Sequence, residues 1–127
     1  MDTENKVQVE EVKVEDNKIS IDDLKKVEIS AGKIMSAEKV DGSEKLLKLM
    51  VDFGEESPRQ ILSGIQKHFP NESELVGVTC MFVTNLKPRM MMGMESNGML
   101  FALGGVGDVP FSLISPKVDV PAGTKAN

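Results

Sequence analysis

The side chains with the most concentrated chemical character lie in residues 85–102, NLKPRMMMGMESNGMLFA. Five of the nine methionines, Met90, Met91, Met92, Met94 and Met99, fall within ten residues, behind Lys87 and Arg89 with Pro88 fixing the backbone between them. Thioethers fill irregular gaps in a core, but three in succession cannot all face one interior. At least one is expected to be exposed or to pack on a partner chain. The rest of the chain offers little to covalent chemistry. One histidine, His68, and one cysteine, Cys80, cannot supply the three or four ligands of a usual zinc site. His68 has no nucleophile motif around it and sits in a polar turn, expected to be exposed, whereas Cys80 lies in an apolar strand and reads as buried. GGVGD at 104–108 lacks the Lys-Ser/Thr and helix of a phosphate loop and reads as a hairpin turn.

Composition narrows the function classes. The chain has 127 residues, enough for one domain, with 40% hydrophobic and 28% charged residues. No run approaches the length of a membrane span, and MDTENKVQVEEVKVED has neither the basic start nor the apolar core of a signal peptide. With one cysteine, stability must come from packing rather than an internal disulfide, and the expectation is a soluble cytoplasmic protein. Five Phe and no Trp or Tyr leave few aromatic platforms for stacking bases, and the net charge of −5 argues against a generic nucleic-acid coat protein. No enzyme constellation, metal or cofactor is expected. Residues 1–18 carry six acids against three lysines, so the body is close to balanced and leaves room for a local basic patch.

The elements that must position these residues are short strands. Residues 1–18 read as an acidic, flexible tail or linker, with an edge strand through Val7, Val9, Val12 and Val14 as the alternative. Ser20 and Asp23 give an S-x-x-D start to a short helix over 21–26. Strands follow in VEISAGKIMSAEKV with a bulge or bend at Gly32, in LLKLMVDF with Leu47, Leu49, Val51 and Phe53 on one face, and in RQILSGI. A turn around Pro70-Asn71 and one helical turn at 72–75 precede VTCMFVTN, apolar on both faces and so central or at an interface. NGMLFAL and FSLI complete the set, with Asn97-Gly98 as the strongest two-residue hairpin signal. Five or six strands with a mid-chain gap suited to a plugging helix predict an all-β, five-stranded OB barrel with a short helix and extra C-terminal strands; an SH3-like barrel is the alternative.

NLKPR and ES.GML within 85–102, KVEI..GKI..AEKV at 26–40 and ILSGI at 61–65 together resemble the tRNA-binding domain family, over about Ile19 to Lys125. That family includes free-standing structure-specific tRNA-binding proteins and the C-terminal domain of many bacterial methionyl-tRNA synthetases. The resemblance implies an OB-fold domain over 19–127 that forms a homodimer and binds the outer corner of tRNA by shape, assisting a methionyl-tRNA synthetase catalytic domain in cis or trans. It places Asn85, Ser96 and Met99 in the RNA groove, with Lys33, Lys87 and Arg89 as basic contacts. Lys and Arg neutralise phosphates, Asn and Ser can bond phosphate, ribose or base edges, and a thioether offers a polarizable face to a base. Each also has a plainer reading: Asn85 as the residue that ends a strand, Ser96 as turn chemistry, Lys33 as an outward-facing strand lysine. Members commonly carry basic residues where this chain has Met90, Met92 and Ser30. About three fewer phosphate contacts would flatten the salt dependence of binding by roughly two to three units. A branch of the family resembling secretion chaperones supplies the alternative, a dimeric protein-interaction module with weakened or lost tRNA binding.

Overall fold

The computed structural model describes residues 17–127; the tail expected over 1–18, with its alternative edge strand, lies almost wholly outside them. Ser20 caps the helix α1, Ile21–Leu24, by accepting a hydrogen bond from the Asp23 amide at 3.1 Å. Nine strands follow: β1 Ile29–Lys39, β2 Leu47–Asp52, β3 Arg59–Ser63, β4 Thr79–Val83, β5 Arg89–Met91, β6 Met94–Ser96, β7 Met99–Leu100, β8 Ala102–Leu103 and β9 Ser112–Leu113. Five form one antiparallel sheet in the order β3-β2-β1-β4-β7. Its two ends curl together into a nearly closed barrel, where the Asn97 amide donates to the Gln60 carbonyl and the Leu62 amide to the Ser96 hydroxyl. This is the strand circuit of an OB barrel, with β7 as its fifth strand.

The period-2 pattern of the sequence fills the interior. Leu47, Leu49, Val51 and Phe53 all point inward, joined by Ile34, Ile61, Cys80 and Phe82, and the Phe53 and Phe82 rings meet edge-on at 5.4 Å. Burial pushes the Cys80 thiol up to about 12, which keeps it neutral and unreactive. The expected plugging helix is instead two 3-10 turns, Gln66–His68 and Glu72–Leu75, interrupted around Pro70; Leu75 alone is buried in the core. Pro70 has no amide to donate, so a helix running through the middle of this connection would lose a backbone bond there.

Three further local expectations change. The bulge in β1 lies at Met35, between the paired Ile34 and Ser36, not at Gly32. Gly32 answers a different need: a Cβ there would come within 2.6 Å of both Phe53 Cε1 and Val51 Cγ1. Asn97-Gly98 makes no hairpin, because β6 pairs with β5 and β7 with β4; Gly98, at φ 136°, turns the corner close to Ile61. His68 is half-buried rather than exposed, stacked on Phe111 with centroids 4.4 Å apart. The GGVGD segment does lie in the β8–β9 connection. Past it, residues 123–126 return to β1, where Ala31 donates to the Thr124 carbonyl and Gly123 and Ala126 donate to the Ala31 and Ile29 carbonyls.

The clash at Gly32 involves a buried ring and a β-branched side chain, neither able to swing clear. Gly32→Ala is expected to lower stability by about 1–3 kcal/mol, read from the urea unfolding midpoint with an unchanged slope.

Candidate nucleic-acid interface

In an OB barrel, the connections after strands one and four flank the ligand-binding face. Here the second of these runs from Thr84 to Gly98 and contains the β5–β6 hairpin, so NLKPRMMMGMES is a loop insertion at that position. Its entry is tightly stitched. The Thr84 amide donates to the Glu28 carbonyl, Asn85 Oδ1 accepts from the Glu28 amide at 2.9 Å, and Asn85 Nδ2 donates to the Lys26 carbonyl at 2.6 Å. The Asn85 amide thereby extends the β1–β4 pairing past the last strand residue. One of its N–H groups and one oxygen lone pair remain for a ligand.

Arg59, which the sequence did not single out, braces the same loop from the other side. Its guanidinium donates to the Thr84 carbonyl at 2.7 Å, forms a two-point pair with Glu55 at 2.9 and 2.7 Å, and lies over the Phe53 ring at 5.3 Å. The hydrogen bond from Arg59 holds the Glu55 carboxyl below the ordinary glutamate value of 4.5. In sequence, only an arginine four residues after a glutamate hinted at this brace.

The expected site residues divide into two kinds. Ser96 is 4% exposed; its hydroxyl accepts from the Leu62 amide and bonds the Gly98 carbonyl, so it closes the barrel and presents nothing to a surface ligand. Lys33, Lys87, Arg89 and Met99 are exposed, Met99 to 46%. Lys87 and Arg89 lie on the stitched loop, and Met99 pairs with Val83, two residues before Asn85. Lys33 pairs with Thr79 at the far end of β4, about 13 Å from Val83 along the strand, so it stands apart from the others. Among the described residues, Lys33, Lys87 and Arg89 have no carboxylate partner, whereas Lys39 meets Glu72 and Lys48 meets Glu38. Beside the loop, a cavity of about 560 Å³ is lined by Glu55, Glu56, Arg59, Gln60, Glu95 and Asn97. Arg59 neutralises Glu55 there, but Glu56 and Glu95 repel phosphate, which leaves the Lys87–Arg89 edge as the favourable approach for a polyanion.

Residues 29–125 match a family model described as "Putative tRNA binding domain". The chain belongs to the tRNA-binding domain family. Over 107 residues, 84% of this chain, it is 51% identical to the methionine–tRNA ligase of Methanospirillum hungatei, of which the match covers 15%. The chain spans about one-seventh of the length of such ligases. A crystal structure of a MetRS-related protein from Pyrococcus horikoshii superposes with a TM-score of 0.78 at 36% identity, covering 87% of this chain and 98% of that one. The chaperone CsaA from Bacillus anthracis, at 24% identity, superposes with a TM-score of 0.75 over 87% of this chain and 99% of that one, a likeness of fold. No helix among the described residues is long and apolar enough to cross a membrane.

Arg59→Met is expected to lower stability by about 1–3 kcal/mol at neutral pH, because it removes the Thr84 bond and the Glu55 pair together. Glu55 has its pKa depressed on folding. Its contribution is therefore present above pH 4.5 and lost as pH falls through the folded value, so the gap between variant and wild type narrows in acid unfolding curves.

Proposed function

We propose that this chain is a non-catalytic tRNA-binding module over residues 19–127 that recognises the outer corner of tRNA by shape and assists a methionyl-tRNA synthetase, in cis or in trans. The observation that carries the reading is the braced loop from Thr84 to Arg89, whose two cations face solvent without carboxylate partners. A rigid backbone with unneutralised charge loses little entropy and no existing ion pair when it meets phosphates. Membership of the tRNA-binding domain family and the similarity to methionine–tRNA ligases support the choice of RNA and of synthetase. The module would raise the local concentration of tRNA for a catalytic domain, so even a modest affinity would be useful. Asn85 contributes its remaining donor and acceptor, Met99 an apolar face, and Lys33 a separate contact farther along the barrel.

The reading extends to a homodimer. Ile21, Leu24, Phe101, Leu103, Val106 and Val109 are exposed apolar residues on α1 and the C-terminal ribbon, and a second copy of the chain would cover them. The same exposed apolar residues favour the second reading, a dimeric protein-interaction module in which tRNA binding is weak or lost.

Fluorescence anisotropy with bulk tRNA, against a DNA duplex of similar size, is expected to show saturable, salt-sensitive binding that prefers tRNA. Lys87→Ala combined with Arg89→Ala should reduce the slope of log affinity against log salt by about two. An unchanged slope would move the RNA to another surface. Sedimentation equilibrium is expected to give twice the 13.8 kDa chain mass, and a monomer at micromolar concentration would remove the dimer.

A further inference from the structure

The β5–β6 hairpin turns through Met92 and Gly93, with φ of 52° and 77°, between the paired Met91 and Met94. Two successive residues at positive φ between the ends of a two-residue hairpin make a type I′ turn, whose first position favours asparagine, aspartate or glycine. Met92 is the one non-glycine residue at positive φ among the described residues, and its Cβ is held against the following carbonyl at some cost. Strain kept at the tip of a binding loop points to a use for the side chain that causes it.

Exposure and charge indicate that use. Met90 and Met92, at 68% and 55%, are the most exposed methionines among the described residues. The terminal methyl of Met92 reaches toward Gly42, 3.7 Å from where a side chain there would begin, so the tip leans toward the β1–β2 connection. The tip, itself part of the second of the two connections that flank the binding face of an OB barrel, thus leans against the first. Lys87 and Arg89 lie at the base of the hairpin, while Glu95 is the cross-strand neighbour of Met90. A phosphate is attracted to the base and repelled near the tip, whereas a neutral base face meets no penalty there.

We propose that Met90 and Met92 form an apolar contact for an exposed nucleobase face of the bound RNA, while Lys87 and Arg89 hold its backbone; the inference rests on the tRNA-binding reading above. Thioether sulfur packs favourably on aromatic rings, and every base has such a face, so the contact adds affinity without selecting sequence.

The test uses Met92→Asn, alone and with Met90→Gln. Asparagine suits the type I′ position, so Met92→Asn is expected to raise the melting temperature by about 2–4 °C. The same change should weaken tRNA binding about threefold, and the double variant about tenfold, with the salt slope of the wild type retained. A lowered melting temperature would make Met92 a structural residue and overturn the proposal. Unchanged affinity in both variants would overturn it too, and a simultaneous fall in sedimentation mass would assign the tip to a protein contact. If wild-type protein binds tRNA and the Lys87/Arg89 variant loses salt slope while the methionine variants bind normally, only this inference fails. If wild-type protein shows no salt-dependent tRNA binding, the parent reading fails and takes this one with it.

Discussion

The barrel depends on a closure that its ladders do not make. β3 and β7 sit at the two ends of the five-stranded sheet, and no strand pairing joins them. The Ser96 hydroxyl takes the Leu62 amide, the Asn97 amide takes the Gln60 carbonyl, and the Gln60 side chain reaches the Glu95 carbonyl at 2.8 Å. One buried hydroxyl and one amide side chain thus stand in for part of a missing ladder, satisfying groups that would otherwise be desolvated without partners. The closure also fixes where the chain leaves β6, and so the angle at which the β5–β6 hairpin projects from the barrel.

The same construction recurs at the hairpin's entry. Asn85 and Arg59 both bond to backbone, so the loop's path is determined by side chains that a list of binding residues would reserve for a ligand. What remains exposed is a short strip of cations and thioethers on a stiff support. Such a division suits recognition of a rigid folded RNA, where contacts placed in advance lose little freedom on binding. The neighbouring carboxylates of Glu56 and Glu95 confine the favourable potential to one edge. The net charge of −5 therefore says little about the potential at this edge.

The barrel strands were legible because alternation reports burial directly: Leu47, Leu49, Val51 and Phe53 each fell on the expected side. The β5–β6 hairpin was not legible, because MMMGM has no alternation and its turn uses Met-Gly. The better hairpin signal, Asn97-Gly98, was used for a corner. Gly32 suggests a bulge or bend because a glycine in a strand gives no sign of whether its backbone or its missing side chain matters; the Phe53 ring decides it. At the site, residue types showed which side chains could meet RNA but not which had partners already. The hydroxyl of Ser96 and half of the bonding capacity of the Asn85 amide are engaged by backbone more than 30 residues away in sequence. Arg59 is inconspicuous in sequence for the same reason, since its carbonyl partner lies 25 residues on.

Residues 123–126 have a bearing beyond the site. By bonding to Ile29 and Ala31, they cover the stretch of β1 that β2 does not reach, on the side opposite β4. That stretch would otherwise be an open strand edge with unpaired amides and carbonyls, beside apolar side chains. Such edges template pairing with other chains and lead to aggregation. The segment therefore acts as an edge guard, and the colloidal behaviour of the protein is tied to a few backbone bonds far from its basic strip.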